Sequence, residues 1–147
     1  MAQNFLEYHI TRDSRMTFKV AAGETLYAGQ PVKIKSDGTV GKAAADDEAV
    51  IGIVYSGTVG NAALAGSVGL PDYVNLGFSG DRKESVTVII GSGNLVYLKV
   101  ASAAIGAAVA PAATDYKVAD PAKPLSVIGK VVSVNTKVAG FSLVLTR

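Results

Sequence analysis

Cysteine and tryptophan are absent from this 147-residue chain, and histidine occurs once. Without cysteine there is no disulfide framework, no thiolate metal site and no thiol nucleophile. The one histidine, His9, has no second histidine with which to build a metal centre, and no Ser-His-Asp order can be argued from it. Charge is scarce as well. Fourteen Lys and Arg face twelve Asp and Glu, for a net charge of +2, and the basic residues are dispersed. Phosphate recognition needs them clustered, so no direct nucleic-acid partner is expected. The most apolar stretch, residues 100–113, is dominated by Ala and contains Pro111. It is shorter than the roughly twenty residues that a bilayer helix requires, so no membrane segment is expected. The first residues carry no basic–apolar–small signal pattern.

What the chain does have is Val, Ala and Gly. Half of it is apolar (49%), with sixteen Gly and five Pro, yet only four Phe and six Tyr. A core can be buried, and the length suits one ordinary domain or two small units sharing a core. Small and β-branched residues punctuated by Gly suit short, closely approaching strands better than helices. The fold class expected is all-β, a barrel or sandwich.

Along the chain, residues 1–15 read as an N-terminal arm. Leu6, Tyr8 and Ile10 alternate with Glu7 and His9, a period of two, before the polar run from Thr11 to Arg15. Such a strand completes its own sheet or adds to a neighbour's edge. The body, 16–147, opens with strands near 16–20 and 31–35. Asp37-Gly38 between apolar runs is a hairpin signal. A buried β-branched strand is expected at 49–55. Residues 56–82, rich in Gly, read as a long loop with a short helix near 62–65, and loops of this length are usually functional. Strands resume at 85–90 and 95–100, with Gly91-Ser92-Gly93-Asn94 read as a hairpin turn, and further strands are expected at 125–134 and 141–145.

Two halves, approximately 18–90 and 95–147, look related. Gly29-Gln30-Pro31-Val32 is followed by Val50-Ile51-Gly52, and Gly106-Ala107-Ala108-Val109 by Val127-Ile128-Gly129, at the same separation. Val54 falls on Val131 in that frame, and Asp37 to Val40 aligns with Asp115 to Val118 after a one-residue slip. The expected meaning is two tandem β-units, each unable to bury its inner face alone. Gly52 and Gly129 are expected where another backbone approaches closely.

No constellation points to catalysis. Asp46-Asp47-Glu48 lacks the alternating ligand spacing and glycine of a calcium loop and reads as a solvated turn. Gly91 to Asn94 is followed by a strand, whereas phosphate-cradling loops need a helix or a Lys-Ser/Thr pair. No catalytic residue, cofactor or metal is assigned. Interface residues are sought instead in the arm and the long loop, which hold a disproportionate share of aromatic and Arg side chains. The candidates are Phe5, Leu6, Tyr8, Arg12, Arg15, Tyr73, Asn75 and Phe78, with packing of Phe5, Leu6 and Tyr8 onto their own core as the competing reading.

The residues from Ala22 to Ile34 with Gly29-Gln30-Pro31-Val32, then Asp37-Gly38-Thr39-Val40, then Val50-Ile51-Gly52-Ile53-Val54, resemble capsid decoration (cement) proteins of tailed bacteriophages. The second half carries the pattern less closely: Asp115-Tyr116 stands for Asp-Gly, and no Pro precedes Val109. The resemblance leaves the arm and residues 56–82 unmatched. It implies a β-barrel or sandwich, a homo-oligomer (a trimer above all) and no enzymatic activity. It also implies the major capsid protein as partner and a place on the capsid exterior of a virion assembled in the host cytoplasm. Two other expectations stay open: another virion or cell-surface β-module, such as a head fibre base or adhesin-like domain, and an enzyme of unfamiliar type. An all-β body predicts a far-UV circular dichroism spectrum with helix well below the roughly one third of an ordinary globular protein.

Overall fold

The computed structural model describes residues 7–9, 14–56, 85–134 and 136–147; residues 7–9 and 56 are described for their backbone alone. The fold is all-β. In chain order the strands are β1 (Glu7–His9), β2 (Arg15–Lys19), β3 (Pro31–Ile34), β4 (Val40–Lys42), β5 (Val50–Ser56), β6 (Ser85–Ile89), β7 (Leu95–Leu98), β8 (Val100–Ala101), β9 (Ala108–Pro111), β10 (Tyr116–Val118), β11 (Gly129–Ser133) and β12 (Ser142–Thr146). They form a five-stranded sheet, β2-β6-β5-β3-β4, and a seven-stranded sheet, β1-β7-β12-β11-β9-β10-β8.

Without β1, the second order is the first one repeated. β7, β12, β11, β9 and β10 stand where β2, β6, β5, β3 and β4 do. β8 follows β7 after one residue and pairs in parallel with β10, the far end of the sheet, so one stretch of chain joins both edges and closes the sheet into a small barrel. The first unit closes the same way: Val20, directly after β2, bridges in parallel to Val40 of β4, and the Ala21 amide donates to the Val40 carbonyl at 2.9 Å. Closure satisfies edges that would otherwise invite aggregation.

The equivalence extends to single hydrogen bonds. Gly29 and Gly106 both adopt positive φ, 89° and 86°, where only Gly is unstrained. Their amides donate to the carbonyls of Val54 (2.7 Å) and Val131 (2.8 Å). Pro31 faces Ile53 and Val32 faces Gly52, while Ala108 faces Lys130 and Val109 faces Gly129.

The structure corrects the sequence frame in four places. Val40 corresponds to Tyr116, not to Val118, because the β9–β10 connection is one residue shorter than that between β3 and β4. Asp115 at φ 60° supplies the left-handed turn that Gly38 (φ 80°) supplies in the first unit, a conformation that Asp tolerates. Gly91 to Asn94 is not a hairpin turn, since it carries the chain from β6 to β7 in a different sheet. Buried Asn94 anchors that crossing through its amide group to the Gly91 carbonyl (3.0 Å) and the Thr146 hydroxyl (3.2 Å). The strand expected at 125–134 begins only at Gly129, because Pro124–Ser126 forms a 3-10 turn with proline in its first turn, the position where its missing N–H costs nothing. Ser14 and Arg15, read as part of the arm, belong to the first barrel: Ser14 is buried and Arg15 begins β2. Residues 1–6, 10–13 and 57–84, with the helix expected near 62–65, lie outside the described residues.

Both interiors are narrow and mainly Val. Val20, Leu26, Val32, Val40, Val54, Val86 and Val88 fill the first. Val96, Leu98, Val109, Tyr116, Ile128, Val131 and Val144 fill the second and join Ile53 and Ile89, which project from the outside of the first barrel. Narrow barrels force close approach at two glycines. A Cβ on Gly52 would collide with the Ile89 carbonyl oxygen and come within 2.9 Å of Val88. One on Gly129 would meet the equivalent atoms, the Leu145 carbonyl oxygen at 2.5 Å and Val144 at 2.8 Å. Gly52→Ala and Gly129→Ala are therefore each expected to destabilise by about 1–3 kcal/mol, the usual range for overpacking, whereas Gly23→Ala, whose Cβ meets nothing within 4 Å, loses only the smaller cost of positive φ. Denaturant titration of the three variants checks the order.

Candidate interaction surface

The acidic loop settles what Asp46-Asp47-Glu48 does. Asp47 accepts the amides of Ala44 (3.1 Å) and Ala49 (3.0 Å) and pairs with Lys33 at 3.2 Å. It shapes its own turn. Its two neighbours reach the second barrel: Asp46 pairs with Lys117, Glu48 with Lys123 at 3.6 Å, and the Asp46 amide donates to the Pro111 carbonyl at 3.0 Å. Lys42 adds a bond to the Ala113 carbonyl, 3.1 Å. The solvated turn expected from sequence is instead the polar rim of the junction between the barrels. The available signal was Lys117 and Lys123 in the second unit, opposite in sign to Asp46 and Glu48.

The centre of the junction is Tyr116. Its ring lies within the second barrel, and its hydroxyl donates to the Gly29 carbonyl of the first at 2.6 Å. Burial, reinforced by Asp115, pushes its ionisation well above that of a free tyrosine. Beside it, Val50, Ile51, Gly52, Ile53, Ile89, Val127, Ile128 and Arg147 contribute to a cleft of about 210 Å³. Among the described residues Arg147 is its one ionisable side chain. A general acid and base need convergent titratable groups, and this cleft does not bring them together. Among the described residues no group of three or more His, Asp or Glu could hold a metal ion.

The surface best suited to a partner is the β2 edge. In the second barrel, β7 is flanked by β12 on one side and by β1 on the other, Glu7 facing Val96 and His9 facing Leu95. The amphipathic strand at the N-terminus thus pairs with its own chain. β2, the counterpart of β7, pairs with β6 on one side, and among the described residues no strand covers its other side along 15–19. Four of its five residues are exposed. Met16 is 52% exposed where its counterpart Val96 is fully buried. At its start Arg15 stacks over the Tyr55 ring, 4.9 Å from the centroid, which holds the guanidinium at the strand edge.

Of the sequence candidates, Arg15 lies on this edge, and Tyr8 lies in β1 on the second barrel. Phe5, Leu6, Arg12, Tyr73, Asn75 and Phe78 lie outside the described residues. Met16 and Tyr55 are not among those candidates, because they fall in the stretches 16–20 and 49–55 that the sequence marks as strands of the body.

No family model matches this chain, and no curated protein matches it. Among solved structures it is similar to the C-terminal fragment of bacteriophage phi29 gene product 12, with a TM-score of 0.55 over 92% of this chain and 100% of that one, at 14% identity. At that identity the likeness is one of fold.

Two expectations follow from the junction. Tyr116→Phe leaves the ring packed but strands the Gly29 carbonyl, at an expected cost of about 1–3 kcal/mol, read from chemical denaturation. Asp47 titrates with folding. Burial raises its pKa, but the Ala44 and Ala49 amides and Lys33 outweigh it and hold the carboxyl below its ordinary 3.8. A depressed carboxyl contributes stability above its unfolded pKa of about 3.9, and that contribution is lost as pH falls through the folded value. Asp47→Asn should therefore be less stable than the parent at pH 7, with the gap narrowing below about pH 4. A pH-independent gap would contradict this assignment.

Proposed function

We propose that this chain is a structural β-module of a phage particle, acting by adhesion rather than catalysis, and specifically a decoration protein that binds the major capsid protein on the outside of the head. The observation that carries the broader reading is the two-barrel fold, similar over 92% of the chain to a phage protein fragment. The narrower reading is supported by the turn and strand pattern from Gly29 to Val54 shared with decoration proteins. The β2 edge, which no strand covers among the described residues, suits it too, since an extended capsid segment added there would be held by backbone hydrogen bonds. Many copies on one lattice act together, so modest affinity per copy becomes large stabilisation of the assembled shell.

The fold likeness itself favours a second reading, another virion or cell-surface β-module such as a head fibre base or an adhesin-like domain, because it is a likeness to a phage protein fragment and not to a decoration protein. Heads lacking the protein, incubated with purified chain and heated, separate the two. A decoration protein co-sediments with heads and raises the temperature of DNA release. Co-sedimentation with unchanged release would make it a display or adhesion module, and no co-sedimentation at saturating protein would remove it from the head.

A further inference from the structure

The two barrels differ at one edge. In the second, β7 lies between β12 and the antiparallel β1, and Val96, which faces Glu7 of β1, is fully buried. In the first, β2 has β6 on one side, and among the described residues no strand lies on the other. Met16, at the position of Val96, is 52% exposed, and Phe18, at that of Leu98, is only partly buried where Leu98 is fully so. Both barrels then close in the same way, at Val20 with Val40 and at β8 with β10. The opening therefore runs along 15–19 and ends at Val20. Among the described residues the first barrel is the second with one strand left out.

The ladder with β6 sets what this edge presents. The Ile90 amide donates to the Ser14 carbonyl at 2.9 Å, and the register places Met16 opposite Val88 and Phe18 opposite Val86. Facing residues of an antiparallel pair alternate between bonded and unbonded positions. The backbone groups of Met16 and Phe18 therefore turn to β6, and those of Arg15, Thr17 and Lys19 turn outward. Side chains alternate as well. Val86 and Val88 belong to the barrel interior, so Met16 and Phe18 lie on the interior side of β2. Arg15, Thr17 and Lys19 lie on the outer side, where Arg15 stacks on Tyr55. Neither Arg15 nor Lys19 forms an ion pair among the described residues. Charges commonly blunt an edge against unwanted pairing. Blunting alone does not call for an apolar row that opens the interior along the same edge.

We propose that the β2 edge receives one extended segment of a partner protein that runs antiparallel to β2 and reads acidic–apolar–polar–apolar–acidic. Its carboxylates stand against Lys19 and Arg15, and its apolar side chains cover Phe18 and Met16. The orientation follows β1 on β7. The order follows from strand register, in which facing residues share one side of the sheet. Arg15, Thr17 and Lys19 supply the backbone hydrogen bonds that give affinity, and the alternating side chains supply selection. A basic segment is rejected by like charge. That the segment belongs to the major capsid protein rests on the decoration reading; its chemistry rests on β2 alone.

The probe is a fluorescein-labelled peptide centred on Glu-Val-Thr-Val-Glu, with Lys-Val-Thr-Val-Lys as its control, read by anisotropy with the full chain. The acidic peptide should bind about tenfold more tightly than the basic one, and added salt should narrow the difference. Arg15→Glu with Lys19→Glu should reverse the preference. Both positions are exposed, so folding should survive, as thermal melts would verify. Thr17→Pro removes an outward amide and leaves the β6 ladder intact, so it should abolish binding of either peptide. Should Thr17→Pro fail to fold, the charge reversal decides alone. Equal binding of the two peptides, or a preference that the charge reversal leaves in place, overturns the proposal. No binding of either peptide also overturns it and leaves Arg15 and Lys19 as edge protection. Phage heads separate this from the decoration reading. If folded Thr17→Pro protein binds heads as well as the parent does, the edge proposal fails and decoration stands. If the parent ignores heads while the peptide preference reverses as expected, the edge proposal stands and the capsid is not its partner.

Discussion

Closure of a very small barrel is the constraint on which the rest of this structure depends. In each unit one stretch of chain must serve two edges: β2 pairs with β6 and passes through Val20 to β4, and β7 pairs with β12 and passes through β8 to β10. A ring that tight has little internal volume. It selects Val over larger side chains in both interiors and requires Gly52 and Gly129 where one strand's carbonyl presses against its neighbour. Tyr116 is the largest fully buried side chain among the described residues. It takes Val40's position in the second barrel, and its hydroxyl passes through to the first.

That passage explains why the units stand as a pair. A barrel of this size buries a small fraction of its surface and is marginal alone. Ile53 and Ile89, outside the first barrel, complete the apolar cluster of the second, and the Asp46–Glu48 loop seals the polar rim against Lys117 and Lys123. Stability thus comes from packing and from the paired groups of the junction, as it must in a chain without cysteine. The candidate interaction surface is what closure and pairing leave over: the side of β2 that no strand covers among the described residues. It offers backbone edge, the means of strand addition.

Much of the fold was legible in the sequence, because its turns are chemical. Asp37-Gly38 and the paired Gly29 and Gly106 mark positive-φ positions that few other residues tolerate, and the Val-Ile-Gly triplets mark the close approach of Gly52 and Gly129. The one-residue slip was placed on the wrong side because Asp115 performs a glycine's task without being one. The crossing at Gly91 to Asn94 looked like a hairpin because local turn grammar cannot say whether the next strand returns to the same sheet. The junction was the least legible part. Asp46 and Glu48 look like solvent residues until folding sets Lys117 and Lys123 beside them, and Met16 has the periodicity of a core residue while lying half exposed at an open edge.

The central claim is that the two barrels are equivalent units held as one cooperative body by their junction. Native-state hydrogen exchange measures it most directly, at the amides of Gly29 and Val54 in the first barrel and Gly106 and Val131 in the second. These amides occupy matching hydrogen bonds: Gly29 to Val54 and Gly106 to Val131, Val54 to Gln30 and Val131 to Ala107. A single cooperative body predicts that all four exchange through one opening, with the same free energy as global unfolding. Exchange of one pair through a lower-energy opening while the other pair stays protected would show barrels that fold independently, and would contradict the claim.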